Sequence, residues 1–253
     1  MEQPANLDDQ VLKQLAPTGV LRAGINLSNF LLVSGRSERD DPVGVSPDMA
    51  SAIASRCGLS VEFVCYESPG QLAAAAESDE WDIGNIGAEP QRAMTIAFTP
   101  AYCEIESTYL VPADSPISSI EAVDQPGVQI AYVTGTAYGL WLEANTKNAS
   151  LVAAETIDAS FDIFVKGKLD VLAGLRPRLS SDVQKLSGAR ILDGKFSSVQ
   201  QAVGTPRKNQ AAAQWLTAFV EEAKASGLVA ELIAKHRVVG LSVADAAPVR
   251  KNA

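Results

Sequence analysis

Apolar positions along the chain change spacing repeatedly, and the changes predict alternating strands and helices. The first clear strand is Val20–Ile25. A polar loop runs through Asp41 and Pro42. Ser46-Pro47-Asp48 then predicts a helix start, with serine as N-cap and proline in the first helical position. Met49, Ala52 and Ile53 give this helix an apolar face, and Gly58 stops it. Val61–Cys65 alternates as a strand does, Ser68-Pro69 starts an alanine-rich helix reaching Ala76, and Asp82–Ile86 reads as a third strand. This β-α-β-α-β march is the signature of a parallel sheet with covering helices.

Beyond Tyr102 the pattern shifts. A long extended run, Glu104–Pro112, precedes a break at Ser115-Pro116. A second alternating series follows: strand Val128–Tyr132, helix Ala137–Ala144, strand Leu151–Ala153, helix Ile157–Val165, strand Leu169–Ala173, helix Pro177–Leu186 and strand Ala189–Leu192. Another extended run, Ser197–Gly204, leads to two helices, Ala211–Ala225 and Leu228–His236, parted by Gly227. The small, polar tail beyond Gly240 is expected to fray. The prediction is an α/β protein of two lobes, each a mixed, mostly parallel sheet with flanking helices. Lobe 1 is assigned residues 1–111 and 203–253, and lobe 2 residues 112–202. Two extended crossovers would serve as hinges, with a ligand between the lobes.

With 253 residues, 47% of them hydrophobic, the chain can bury a sizeable core. A net charge of -9 repels phosphate backbones and anionic lipid, so neither nucleic acid nor a membrane surface is an expected partner. No apolar run reaches the roughly 18 residues a membrane span needs. The start, MEQPANLDDQVLKQLAP, lacks the basic and apolar segments of a signal peptide. That leaves two localisations open, a periplasmic protein whose leader has been removed or a cytoplasmic one. Cys57, Cys65 and Cys103 are an odd set, so no complete disulfide framework is expected. Cys57 and Cys65 read as two buried free thiols. No exposed apolar stripe argues for an oligomer.

The single histidine, His236, falls near the end of the last helix, where a basic group favours the helix dipole. The chain has no histidine–cysteine cluster of metal-ligand spacing, no phosphate loop and no GxGxxG turn, so no metal or cofactor is expected. Two features suggest chemistry. Arg92 stands in the turn after the Asp82–Ile86 strand, among small residues. Its planar fork suits a carboxylate, although a solvated surface arginine fits the same pattern. Gly135-Thr136-Ala137 follows a strand and opens a helix. Free backbone N–H groups there, with the Thr136 hydroxyl, would form an anion site, and an ordinary N-cap is the alternative.

Several segments together resemble the type II periplasmic solute-binding proteins of the polar amino-acid family, the receptors of ABC importers. They are Leu21-Arg22-Ala23-Gly24, Gly44-Val45-Ser46-Pro47-Asp48-Met49, Trp81-Asp82-Ile83 with Arg92, and Ile96–Tyr102. Gly135-Thr136 and Gly167-Lys168-Leu169-Asp170 complete the set. The resemblance runs from about Leu21 to His236. It implies that Arg92 holds a ligand carboxylate and that Gly135, Thr136 and Ala137 supply further donors. Asn26, Asn29 and Phe30 would line the first lobe, with Asn85 and Gly87 in the turn before the arginine. An ABC permease is the implied partner, and a monomer the implied state.

One departure is large. The resemblance places an acidic residue shortly after the strand at Leu169–Ala173, paired with the ligand's ammonium, but here the chain reads Gly174-Leu175-Arg176. An unpaired buried ammonium is costly. The expected solute is therefore a small organic anion, either bearing a second negative charge or lacking an amine, if Arg176 faces it. Alternatively Arg176 caps a helix on the surface. Two rival functions remain. One is a lyase resembling cyclohexadienyl dehydratase, with Glu104, Glu106 or Glu155 as general acid. The other is a sensory ligand-binding protein that works without a transporter.

Overall fold

The computed structural model describes residues 7–247. In chain order the elements are helix α1 (Asp9–Leu15), strands β1 (Leu21–Asn26), β2 (Gly35–Arg36) and β3 (Pro42–Val43), helix α2 (Val45–Cys57), strand β4 (Val61–Tyr66) and helix α3 (Pro69–Ala74). Strand β5 (Ile83–Gly87), a 3₁₀ turn at Arg92–Met94, β6 (Ile96–Phe98) and β7 (Cys103–Val111) follow. Next come β8 (Gln129–Val133), α4 (Ala137–Asn145), β9 (Ser150–Ala154), α5 (Ile157–Gly167), β10 (Val171–Leu175), α6 (Arg176–Asp182) and β11 (Arg190–Ile191). The chain closes with β12 (Ser197–Pro206), α7 (Gln210–Ala225), α8 (Leu228–Lys235) and β13 (Ser242–Val243).

Two compact units form, Met1–Glu104 with Gln200–Ala253 and Ile105–Val199. The chain passes between them within β7 and within β12, each of these long strands giving part of its length to each unit.

In the first unit β1 lies between β4 and β5, parallel to both, and β5 pairs antiparallel with β12. The βαβ connections through α2 and α3 account for the parallel pairs. Trp81 is fully buried with Leu72, Ile86 and Ile96, and its Nε1 donates to the Leu72 carbonyl at 2.9 Å. Gly24 leaves room for the indole, since a Cβ there would lie 3.1 Å from Trp81 Cγ. Asp82 closes the strand start: its carboxylate accepts from the Arg22 backbone N–H at 2.9 Å and from Arg22 Nη2 at 2.7 Å.

In the second unit β8 pairs in parallel with β9 and β10, β10 pairs antiparallel with β7, and β11 adds to β7. Phe164, Leu169, Leu172 and Leu179 pack with Leu110 and Ala131 as its core.

The structure departs from the sequence expectations at several places. Ser46 does not cap α2. The helix begins at Val45 with Gly44 as N-cap, and the Ser46 N–H donates to the Leu32 carbonyl at 3.0 Å. Helix α1 was not expected. It forms because the Asp8 carboxylate caps it through Gln10 N and because Val11 and Leu15 are buried. The polar loop before α2 contains the β2–β3 hairpin. The expected helix over Pro177–Leu186 ends at Asp182 and tightens into a 3₁₀ turn, Val183–Lys185. The start of the tail is ordered: Leu241 and Ala244 are buried, and Ser242–Val243 pairs with β7. Residues 248–253 lie outside the described residues, as do 1–6, where the leader reading begins. Cys65 is exposed, which corrects the expectation of two buried thiols, while Cys57 is half-buried and Cys103 buried.

Candidate functional site

In the first unit β1 and β5 run parallel with Ile25 opposite Asn85, so both strands deliver their following loops to the same carboxyl edge of the sheet. Open α/β sheets bind ligands outside such edges. The loop after β5 turns back through Glu89, whose carbonyl accepts from Arg92 N at 3.0 Å. Arg92 Nη1 then donates to the Gly87 carbonyl at 2.9 Å, tying the guanidinium to the strand end. Arg92 is only 6% exposed, far from a solvated surface arginine. Burial pushes its guanidinium down to about 10, partly offset by the attraction of Glu89, so it stays charged at neutral pH. Burial likewise raises Glu89, against the pull of Arg92.

The other first-unit candidates divide. Asn26 ends β1, and its Oδ1 accepts from the Ser28 N–H at 3.2 Å and the Ser28 hydroxyl at 2.8 Å. Asn29 Oδ1 accepts from Leu31 N at 3.3 Å. Both amides shape the loop, and Phe30 is 41% exposed beside them. Gly87 contributes its carbonyl to Arg92 rather than open space. Asn85 is 2% exposed within β5, and its Nδ2 donates to the Ser46 carbonyl at 2.8 Å, so it braces the strand against α2. Alternation along β5 explains this placement: Ile86 packs with Trp81, so Asn85 faces the other way, toward α2.

In the second unit β8 and β10 are parallel, with Leu172 opposite Ala131, so the Gly135 turn and the Leu175–Arg176 segment leave the same sheet edge. Gly135 has φ +69, a left-handed conformation that suits glycine. Thr136 is the N-cap of α4. Its hydroxyl accepts from Gly139 N at 3.1 Å and donates to the Val133 carbonyl at 2.8 Å. The expected hydroxyl donor for an anion is therefore spent within the turn, which is a correction. Ala137 itself is buried.

Arg176 opens α6, and its charge is matched. Nε donates to Glu106 Oε2 at 2.7 Å, Nη2 donates to the Gly194 carbonyl, and Lys195 Nζ lies 3.9 Å from Glu106 Oε1. Sequence reasoning paired Arg176 with no acid. The link is visible only in the register, which sets Leu175 opposite Ser107 and so brings Glu106 beside the start of α6.

A cavity of about 590 Å³ lies at the opposite edge of this sheet, where β7 ends and β10 begins. Pro112, Pro116, Phe164, Lys168, Leu169 and Asp170 are among its lining residues. It contains none of the candidate residues. Among the described residues no cluster of histidine, cysteine or carboxylate groups is placed to hold a metal ion, and no helix is long and apolar enough to cross a membrane.

Comparison with solved structures defines the class of protein, the type II periplasmic-binding-protein fold. An ancestral amino acid-binding protein described as a precursor of cyclohexadienyl dehydratase matches with a TM-score of 0.70 and 21% identity, over 88% of this chain and 98% of that one. A mutant of ArgBP from T. maritima matches at 0.70 and 20% over 90% and 99%. A binding component of an ABC transporter from Wolinella succinogenes, complexed with lysine, matches at 0.71 and 20% over 86% and 95%. Residues 27–238 match the bacterial extracellular solute-binding proteins, family 3, and the chain belongs to that family. Comparison with curated protein sequences gave no match.

The dehydratase alternative is not favoured. The family is one of solute-binding proteins. Of the three candidate acids, Glu104 Oε2 accepts from Gln200 Nε2 at 2.7 Å, Glu106 is paired with Arg176, and Glu155 is exposed.

Proposed function

We propose that this solute-binding protein binds a small carboxylate-bearing solute, with Arg92 as the carboxylate anchor, and delivers it to an ABC permease. The supporting observation is the buried Arg92 guanidinium, positioned by the Gly87 carbonyl at the carboxyl edge of β1 and β5. A guanidinium kept charged in a site of low exposure binds a carboxylate through paired charge-assisted hydrogen bonds. Within the second unit taken by itself, the backbone N–H groups of Thr136 and Ala137 are proposed anion donors, at the start of a nine-residue helix whose dipole favours negative charge. Asn26, Asn29 and Phe30 are the proposed wall on the β1 side.

Solved structures of this fold include proteins described as binding amino acids, lysine among them. The proposal differs in one respect. Leu175 or Arg176 stands where the resemblance places an acid for the ligand's ammonium, so an ordinary amino acid is disfavoured.

The test is a thermal-shift screen of organic acids and amino acids, with hits incubated and followed by mass spectrometry. Stable hits that raise the melting temperature and lose their effect in an Arg92 variant support a receptor. Consumed hits would indicate an enzyme, and hits insensitive to Arg92 would remove it as the anchor.

A further inference from the structure

We infer that Asp193-Gly194 is a site of spontaneous backbone modification: the aspartate converts through a cyclic imide to isoaspartate, which loosens the turn that ties β7 to the start of α6. The inference is independent of the solute-binding reading, and every group it uses lies within the second unit.

Four observations carry it. The chain contains one Asp-Gly pair and no Asn-Gly pair. The pair sits in a turn looped out between two anchored points. Leu192 N donates to the Tyr109 carbonyl at 2.9 Å and Phe196 N to the Ser107 carbonyl at 3.0 Å, while Asp193, Gly194 and Lys195 are all exposed. Neither reacting group is engaged among the described residues: the Asp193 carboxylate has no hydrogen bond or ion pair, and the Gly194 N–H has no acceptor. Asp124, by comparison, is held by the N–H groups of Lys147, Asn148 and Ala149. Finally, Gly194 has φ +81 and no Cβ, so nothing on that residue shields its nitrogen.

The chemistry needs only water. The Gly194 nitrogen attacks Asp193 Cγ. A C–N bond forms, and the carboxyl hydroxyl leaves with the amide hydrogen as water, closing a five-membered imide. Water then reopens the imide. Addition at Cγ restores aspartate. Addition at the main-chain carbonyl gives isoaspartate, in which the chain runs through Cγ and the α-carboxylate becomes the side group. Mass and charge end unchanged.

The structural consequence follows from what Gly194 holds. Its carbonyl accepts from the hydroxyl of fully buried Thr108 at 2.9 Å and from Arg176 Nη2. Isoaspartate adds a methylene to the main chain just before this carbonyl and so displaces it. Thr108 is left with its longer bond, 3.4 Å to the Leu192 carbonyl, and Arg176 with Glu106. The modified turn also presents an exposed isoaspartyl carboxylate, the substrate class of a carboxyl methyltransferase that uses S-adenosylmethionine.

The test ages the full chain at physiological pH and temperature. Peptide mass spectrometry then locates isoaspartate, and methyl transfer from S-adenosylmethionine by an isoaspartyl methyltransferase counts it. Isoaspartate should appear at 193 before any other aspartate, together with an imide form of the same peptide lighter by one water. Asp193→Glu should melt as wild type, because the side chain is exposed, and should lose the methyl acceptance, because its imide would be six-membered. Aged chains separated from unaged ones should unfold at lower urea. Thr108→Val, which already lacks the hydroxyl, should lose less on ageing. The inference is overturned if 193 stays unmodified after a free peptide of the same sequence has converted, if another aspartate converts first, or if Asp193→Glu accepts methyl groups as wild type does. An unchanged urea midpoint in aged chains would overturn the loosening of the turn.

Discussion

Arg92 Nη1 donates to the Gly87 carbonyl at 2.9 Å, so the side chain proposed to hold the solute is itself held by the last residue of the strand before it. That contact gives Arg92 two separable roles, bracing the turn and presenting a cation. Arg92→Ala should cost about 1 kcal/mol of stability, because it removes one of two donors to the Gly87 carbonyl, which keeps the Glu89 N–H at 3.0 Å, and leaves half-buried Glu89 without its counter-charge. Arg92→Lys keeps the charge and loses the fork, so it should melt closer to wild type while carboxylate affinity still falls by at least about tenfold. Urea unfolding together with titration calorimetry separates the two. A lysine variant that binds as wild type would eliminate bidentate recognition.

His236 Nε2 lies 2.6 Å and Lys235 Nζ 2.7 Å from the same oxygen, Asp48 Oδ2, fastening α8 to the first turn of α2. Burial raises Asp48, but hydrogen bonds and charge from Lys235 and His236 outweigh it and hold the carboxyl below its usual range. A depressed carboxyl contributes stability above its unfolded value, near 4, and loses it as pH falls through the lower folded value. Asp48→Asn should therefore cost on the order of 1 kcal/mol at neutral pH, with solvent screening keeping it small, and less at pH 3 than at pH 7. Urea midpoints at the two pH values check this. An equal deficit at both would mean that the aspartate acts through packing alone.

Much of this architecture was legible in the sequence because its signals are local. Gly58 in the left-handed conformation ends α2, and Ser68 caps α3 through Gln71 N, as their residue types demand. The place of Arg92 in the turn after β5 was legible for the same reason. Ser46 misled because serine before proline imitates a cap, while the actual start is set by Gly44 and a tertiary bond to the Leu32 carbonyl. Asn85 and Arg176 take partners, Ser46 and Glu106, that are 39 and 70 residues away in sequence. Such pairings follow from strand register, which no local pattern encodes.

The three thiols should differ sharply toward a thiol reagent. Cys65 is exposed, Cys57 is half-buried with its thiol pushed up to about 11 by desolvation, and Cys103 is fully buried, which holds its thiol well above its usual range. Only the thiolate reacts. Labelling the native protein at mildly alkaline pH should modify Cys65 first, Cys57 slowly and Cys103 only after unfolding, as read by mass spectrometry of peptides. Early modification of Cys103 would mean that the β7 start opens far more readily than its burial implies.

Gly44 sits at φ +154, and a Cβ there would lie 2.2 Å from the Leu32 carbonyl oxygen. Relief would require moving the start of α2, whose Ser46 N–H uses that carbonyl and whose Ser46 carbonyl receives Asn85 Nδ2. Gly44→Ala should accordingly cost at least about 2 kcal/mol, combining backbone strain with a hard clash. Gly19 provides the control. It too is left-handed, at φ +89, but nothing lies within 4 Å of a Cβ there, so Gly19→Ala should cost only about 1 kcal/mol. Urea unfolding of both variants decides the matter. Equal losses would show that conformational strain alone governs Gly44. A larger loss at Gly44, reproduced in part by Asn85→Ala, would show that the approach of Leu32 to α2 keeps β5, and with it the carbonyl that holds Arg92, in place.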